Sequence, residues 1–184
     1  MFHDSRSKRV VFVAHCVLNQ NAKIDRCARY PGAMRELTQE LIDSDNGVVQ
    51  MPCPELMLLG LDRQADPDLE TTIESEDTRV AQCMREPGVV ALCDGLAAGV
   101  AFQIAEYTRH GFEVVGIIGV NGSPTCGVET NWAADIEASG AGVFIQALQE
   151  RLGAAGIDIP MRGVKAANAQ HAVAVANELL ERGA

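Results

Sequence analysis

The chain has 184 residues, 47% of them apolar and 4% aromatic, and a formal charge of −10. That length suits one domain with a real core, and the surplus of acid argues against a nucleic-acid backbone or an anionic membrane as partner. The six cysteines sit in a chain that is neither short nor visibly secreted: Met1-Phe2-His3-Asp4-Ser5-Arg6 lacks the apolar core of a signal peptide, so a reducing, cytoplasmic setting is expected in place of a disulfide framework.

Arg9 to Ala14 is almost entirely apolar, which predicts a strand buried on both faces. A polar loop follows to Gly32. Ala33 to Asp43 sets Met34, Leu37 and Leu41 at helical spacing, and Asn46-Gly47 closes the unit. Val48 to Met51 predicts a second brief strand, and Leu56 to Leu61 a short helix or turn. Asp62 to Asp77 is the most polar stretch; it reads as a surface excursion, either a lid over the strand ends or an inert solvated loop. Pro87-Gly88 introduces a long helix with Cys93, Leu96, Val100, Ile104 and Tyr107 on one stripe, and His110-Gly111 as its stop. Its longest apolar stretch, Val89 to Ala105, is broken by Asp94 and Gln103 and is not read as a membrane span.

Glu113 to Val120 predicts the third strand. After a polar stretch, a helix near Ala141 to Leu152 puts Phe144, Leu148 and Leu152 on one face, with Gly153 and Gly156 ending it. Ile157 to Val164 holds a fourth strand, at the sheet edge because of Pro160. Asn168 to Glu181 makes the last helix, with Val173, Ala176 and Leu180 inward. No repeat or boundary divides the chain. Strands alternating with helices give a single α/β domain, a three-layer Rossmann-like sandwich around a mostly parallel sheet of about four strands.

Three of the predicted strands end in a cysteine: Cys16, Cys53 and Cys126. Parallel sheets gather functional groups at strand carboxyl ends, so the three thiols should converge. A structural zinc site asks for paired Cys-x-x-Cys ligands and four donors, which are missing here. Three thiolates with a vacant position suit an iron–sulfur cluster with one iron open, a Lewis acid able to take soft sulfur. Pro54 fits the first turn of a helix behind Cys53, where the thiol pKa is expected to fall. The Cys126 loop, between Gly122 and Gly127, lets backbone amides come close.

Glu55 either moves a proton or compensates a helix N-terminus. The amides Asn19, Gln20 and Asn21 either read a heterocycle edge or make local turns, and Ser123 and Thr125 either touch substrate or brace their loop. Cys93 and Cys83 read as core residues. Cys27 lies in a polar loop within reach of the strand ends, and a role as fourth ligand is left open. His15, beside Cys16, either orients a thiol or substrate or, by strand alternation, turns into the sheet layer; His3, His110 and His171 read as surface or helix-end residues. A thiol phosphatase would need arginine at position 22, which is Ala22.

The elements Cys16-Val17-Leu18-Asn19-Gln20-Asn21, Cys53-Pro54-Glu55 and Ser123-Pro124-Thr125-Cys126-Gly127 together resemble the thiouracil desulfidase family over about residues 9 to 130. The resemblance implies a 4Fe–4S cluster held by Cys16, Cys53 and Cys126, with a substrate thiocarbonyl sulfur on the fourth iron. It maps the family's acidic residue onto Glu55 and its serine onto Ser123. With Asn19, Asn21 and Thr125 as the candidate substrate contacts, the expected partner is a small thio-compound, desulfurised to its carbonyl product and hydrosulfide. No nucleic acid or membrane is expected; the oligomeric state is open. The family's Cys-Leu-Leu-Gly and Arg-Tyr-Asp-Gly elements become Cys16-Val17-Leu18-Asn19 and a distant Arg29-Tyr30-Pro31-Gly32 in this chain. The alternative is a non-catalytic iron–sulfur, sulfur-binding or electron-transfer protein.

Overall fold

Four strands form the centre of the molecule, whose computed structural model describes residues 2–181. Strands β1 (Arg9–Val13), β2 (Gly47–Gln50), β3 (Glu113–Val120) and β6 (Met161–Val164) pair in the order β2-β1-β3-β6, every pair parallel. Val11, Phe12, Val13, Ile117 and Ile118 are fully buried, as strands covered on both faces should be.

The chain passes from β1 to β2 through α2 (Arg35–Asp43) and returns across β1 to β3 through α5 (Pro87–Arg109). Right-handed crossovers in opposite directions put these helices on opposite faces. Helix α6 (Val143–Ala154) packs beside α5, and α7 (Ala169–Glu181) beside α2. The result is the three-layer, Rossmann-like α/β fold that the sequence predicts. Because the winding reverses between β1 and β3, a crevice opens at their carboxyl ends.

Three segments depart from expectation. The polar stretch after Cys126 folds into an antiparallel hairpin, β4 (Thr130–Ala133) with β5 (Ile136–Ser139), separate from the main sheet. Its turn has Ala134 at φ 49° and Asp135 at φ 72°, a double left-handed geometry that usually advertises itself with glycine or asparagine. The acidic excursion ends early, because α4 (Ile73–Cys83) begins at a capping box of Thr72 and Ser75. In α7, Ala176 and Leu180 face inward but Val173 is only half-buried. The helix touches both α2 and the sheet, so its buried arc centres on Ala172, Val175 and Leu179.

Candidate functional site

All three strand-end cysteines line one cleft of about 250 Å³. The strands deliver them differently. β1 stops at Val13 and the chain turns at once into a single helical turn, α1 (His15–Leu18), whose second residue is Cys16. That early turn also corrects the expectation for His15: strand alternation no longer applies, and the imidazole lines the cleft. Cys53 is the residue before α3 (Pro54–Leu59), with Pro54 in the first turn as its fixed φ favours. Cys126 sits in a loop that folds back onto β3, where the Val120 amide donates to the Cys126 carbonyl at 2.9 Å.

Two glycines permit that fold-back. A Cβ on Gly119 would collide with the Cys126 carbonyl oxygen and Val128, and one on Gly127 with the Thr130 carbonyl oxygen. The Ser123 hydroxyl accepts from the amides of Thr125 at 3.2 Å and Cys126 at 3.0 Å, tightening the turn. Asn121 fixes the far side of the loop: its side-chain Oδ1 accepts from the amides of Val128 and Glu129, both at 3.1 Å. The amides of Val143 and Phe144, at the start of α6, donate to the carbonyls of Pro124 and Thr125. The loop is thus anchored to a strand, a helix and its own side chains.

Glu55 joins the three thiols. Its Oε1 accepts from the hydroxyls of Thr125 at 2.6 Å and Ser123 at 3.2 Å. Its Oε2 lies 3.5 Å from Nε of Arg63, whose side chain is 1% exposed. Nothing in the sequence marked Arg63. It lies in the acidic excursion, and the signal is absent because burial comes from the meeting of its own turn with Ala22 and Glu55. Its guanidinium donates to the carbonyl of Ala22 at 2.6 Å and to those of Gly60 and Leu61 at 2.8 and 2.9 Å. One Nη also stands 3.8 Å from the Cys53 sulfur. Arg79 of α4 donates to the Arg63 carbonyl at 2.7 Å, so the segment before α4 is tied to the site at both ends.

Further members of the cleft come from elements that sequence reasoning left as surface. Asp77 of α4 faces it, its carboxyl pushed up to about 6 by burial and then by the charge of Glu55. Ile24, Ile73 and Trp132 supply apolar wall, with the Trp132 indole donating to Thr78 of α4 at 3.0 Å. That bond clasps the hairpin to α4 across the mouth.

Two expectations need correction. Asn19 and Asn21 do not line the cleft: the Asn19 oxygen is taken by the Asn21 amide and side chain, both at 3.1 Å, as the cap of a tight turn. Gln20, between them, is buried and braces the same turn, donating to the Cys16 carbonyl at 2.5 Å and accepting from the Arg29 amide at 3.1 Å. The Cys53 thiol is not acidified by its helix. Burial, reinforced by Glu55, pushes it up to about 12, more than the Leu56 amide and Arg63 can offset.

Burial likewise raises the Cys16 thiol, and raises Cys126 further, with Cys53 and Cys16 the next causes. The three sulfurs therefore stand close enough to feel one another's charge, and none is in a disulfide. Left alone they are neutral thiols. Only a cationic centre would make three adjacent thiolates tolerable here. Among the described residues, no group of three or more His, Cys, Asp or Glu is placed to hold a metal ion. Three cysteine sulfurs in one cleft are the donor chemistry of an iron–sulfur cluster. Cys27 lines the same cleft, its thiol pushed up to about 11 by burial and by Asp77, whereas Cys93 is buried in the core.

No family model matches the chain, and no solved structure matches it. A protein of Methanocaldococcus jannaschii, known as uncharacterized protein MJ0003, is 32% identical over 126 residues, which cover 68% of this chain and 72% of that one. Identity of that extent carries common descent, and the chain belongs to the same family as this archaeal protein.

Proposed function

We propose that the cleft holds a 4Fe–4S cluster on Cys16, Cys53 and Cys126 and removes sulfur, without net redox change, from a small thiouracil-like compound. The observation that carries this reading is the meeting of three strand-end thiols with the hydrogen-bonded group Glu55, Thr125 and Ser123 in one cleft. When bound, the cluster supplies an open iron that acts as a Lewis acid toward thiocarbonyl sulfur. Water supplies the carbonyl oxygen of the product, and sulfur departs as hydrosulfide.

The chain's own residues position and relay. Thr125 fixes one oxygen of Glu55, which leaves Oε2 to take a proton from the adding water and return it to the leaving group. Arg63 keeps that carboxylate and Cys53 in register. Ile24, Ile73 and Trp132 offer the flat apolar walls that a heterocyclic ring requires.

The test is anaerobic reconstitution with iron and sulfide, followed by incubation with 2-thiouracil and a hydrosulfide assay. Protein that takes up no iron and sulfide overturns the proposal. One observation favours a second reading: Cys27 lies in the same cleft, and a fourth thiolate would close the open iron and leave an electron carrier. A cluster whose absorption is unchanged by hydrosulfide or thiouracil, and which is lost in Cys27→Ser, would favour that reading.

A further inference from the structure

Helix α5 turns Cys93, Ala97, Val100 and Ile104 toward the core and leaves a second stripe, apolar up to its last residue, facing outward. That stripe is Gly88, Leu92, Gly95, Gly99, Phe102 and Glu106, spaced four and three residues alternately, the spacing of a coiled-coil seam. Leu92 is 60% and Phe102 65% exposed, and nothing lies within 4 Å of where a Cβ would stand on Gly88, Gly95 or Gly99. The seam also reads the same reversed about Ala97: Leu92 exchanges with Phe102, Gly95 with Gly99 and Gly88 with Glu106. Such self-complementarity is what a two-fold contact between antiparallel helices demands.

We propose that this face pairs with the same face of a second copy of the chain, antiparallel, with the two-fold axis at the level of Ala97. The glycines let the two backbones approach at the centre, and Leu92 of each protomer packs against Phe102 of its partner. The ends are complementary in charge. The N-terminus of α5 has no side-chain cap, so its first amides want an acceptor. Under the two-fold, the partner's Glu106 lies over Gly88; Arg109 holds one of its carboxylate oxygens at 2.7 Å, and the other supplies the acceptor. The helix is about 34 Å long at 1.5 Å per residue. A seam of that length falls short of the roughly 800 Å² per partner usual in stable complexes, so the dimer should be reversible. A net charge of −10 and the exposed Glu86 at the end of this face disfavour an anionic lipid surface.

This inference is independent of the chemistry in the cleft. Sedimentation of the full chain over a hundredfold range of concentration tests it. The expected result is a mass rising toward twice 19.7 kDa, abolished by Phe102→Glu or Gly99→Leu with circular dichroism and melting unchanged. Leu69→Glu, at an exposed position on another segment, leaves the mass as it was. Glu106→Gln weakens association roughly tenfold, because two symmetric carboxylate–helix contacts are lost. A chain that stays monomeric throughout, dimers that persist in Phe102→Glu, or wild-type protein that instead floats with neutral phospholipid vesicles would each overturn it.

Discussion

Replacing Arg63 by methionine asks whether the buried guanidinium holds the site together. The substitution fills similar volume with apolar atoms and strands two kinds of group. The Ala22 carbonyl loses its buried donor, a cost of about 1–3 kcal/mol. Glu55, 14% exposed, loses the cation beside it, and breaking a buried pair from one side costs about 3–5 kcal/mol. At 3.5 Å the pair is stretched and its bond incomplete, which argues for the lower end of each range. The sum is about 4 kcal/mol, a large part of the roughly 5–15 kcal/mol that folds a domain. With a urea slope of about 1–3 kcal/mol per molar, the midpoint should fall by at least about 1 M.

A double-mutant cycle sharpens this test. Adding Glu55→Gln to Arg63→Met should restore part of the loss, giving a coupling of at least about 1 kcal/mol in the double-mutant cycle. Urea titrations of the four proteins without cluster decide the matter. A methionine variant within 1 kcal/mol of wild type, or a cycle that is strictly additive, refutes the reasoning.

Four other outcomes are expected. Glu55→Gln should keep iron and sulfide after reconstitution but lose at least about a hundredfold in hydrosulfide release, the low end of what a positioned acid–base group contributes. Cys126→Ala should bind no cluster while Cys93→Ala binds it fully, as iron and sulfide analysis would register. Gly127→Ala should lower the melting temperature by many degrees, since its methyl would meet the Thr130 carbonyl and the loop cannot give. Asp77 has a folded pKa near 6, above its unfolded value near 4, so its destabilising charge appears as pH rises through that window. Asp77→Asn should therefore be more stable than wild type above pH 6 and equal to it below pH 4; equal melting curves at pH 8 would contradict the assignment.

Elements that carry their own periodicity were legible in the sequence. β3 runs from Glu113 to Val120 as its unbroken apolar pattern says, and α5 starts at Pro87 because proline fits only a first turn. The convergence of Cys16, Cys53 and Cys126 followed from topology alone, since parallel strands leave no other place for their carboxyl ends. What stayed hidden depends on contacts between remote segments. Arg63 is held by its own turn at residues 60 and 61 only because the carbonyl of Ala22, 41 residues away, closes over it, and no local pattern announces such a socket. The hairpin at Thr130–Ser139 has the polarity of a loop, because only one of its faces meets protein. Asn19 and Asn21 misled because short amides serve equally as ligands and as turn caps, and local geometry took them first.

The Cys126 loop is held by backbone bonds to β3 and α6 and by Asn121. If the proposed cluster is bound, its loss in air should then leave the fold intact and the site refillable. On that proposal, a clean melting curve or a sharp chromatographic peak is no guide to competence; colour and iron content are.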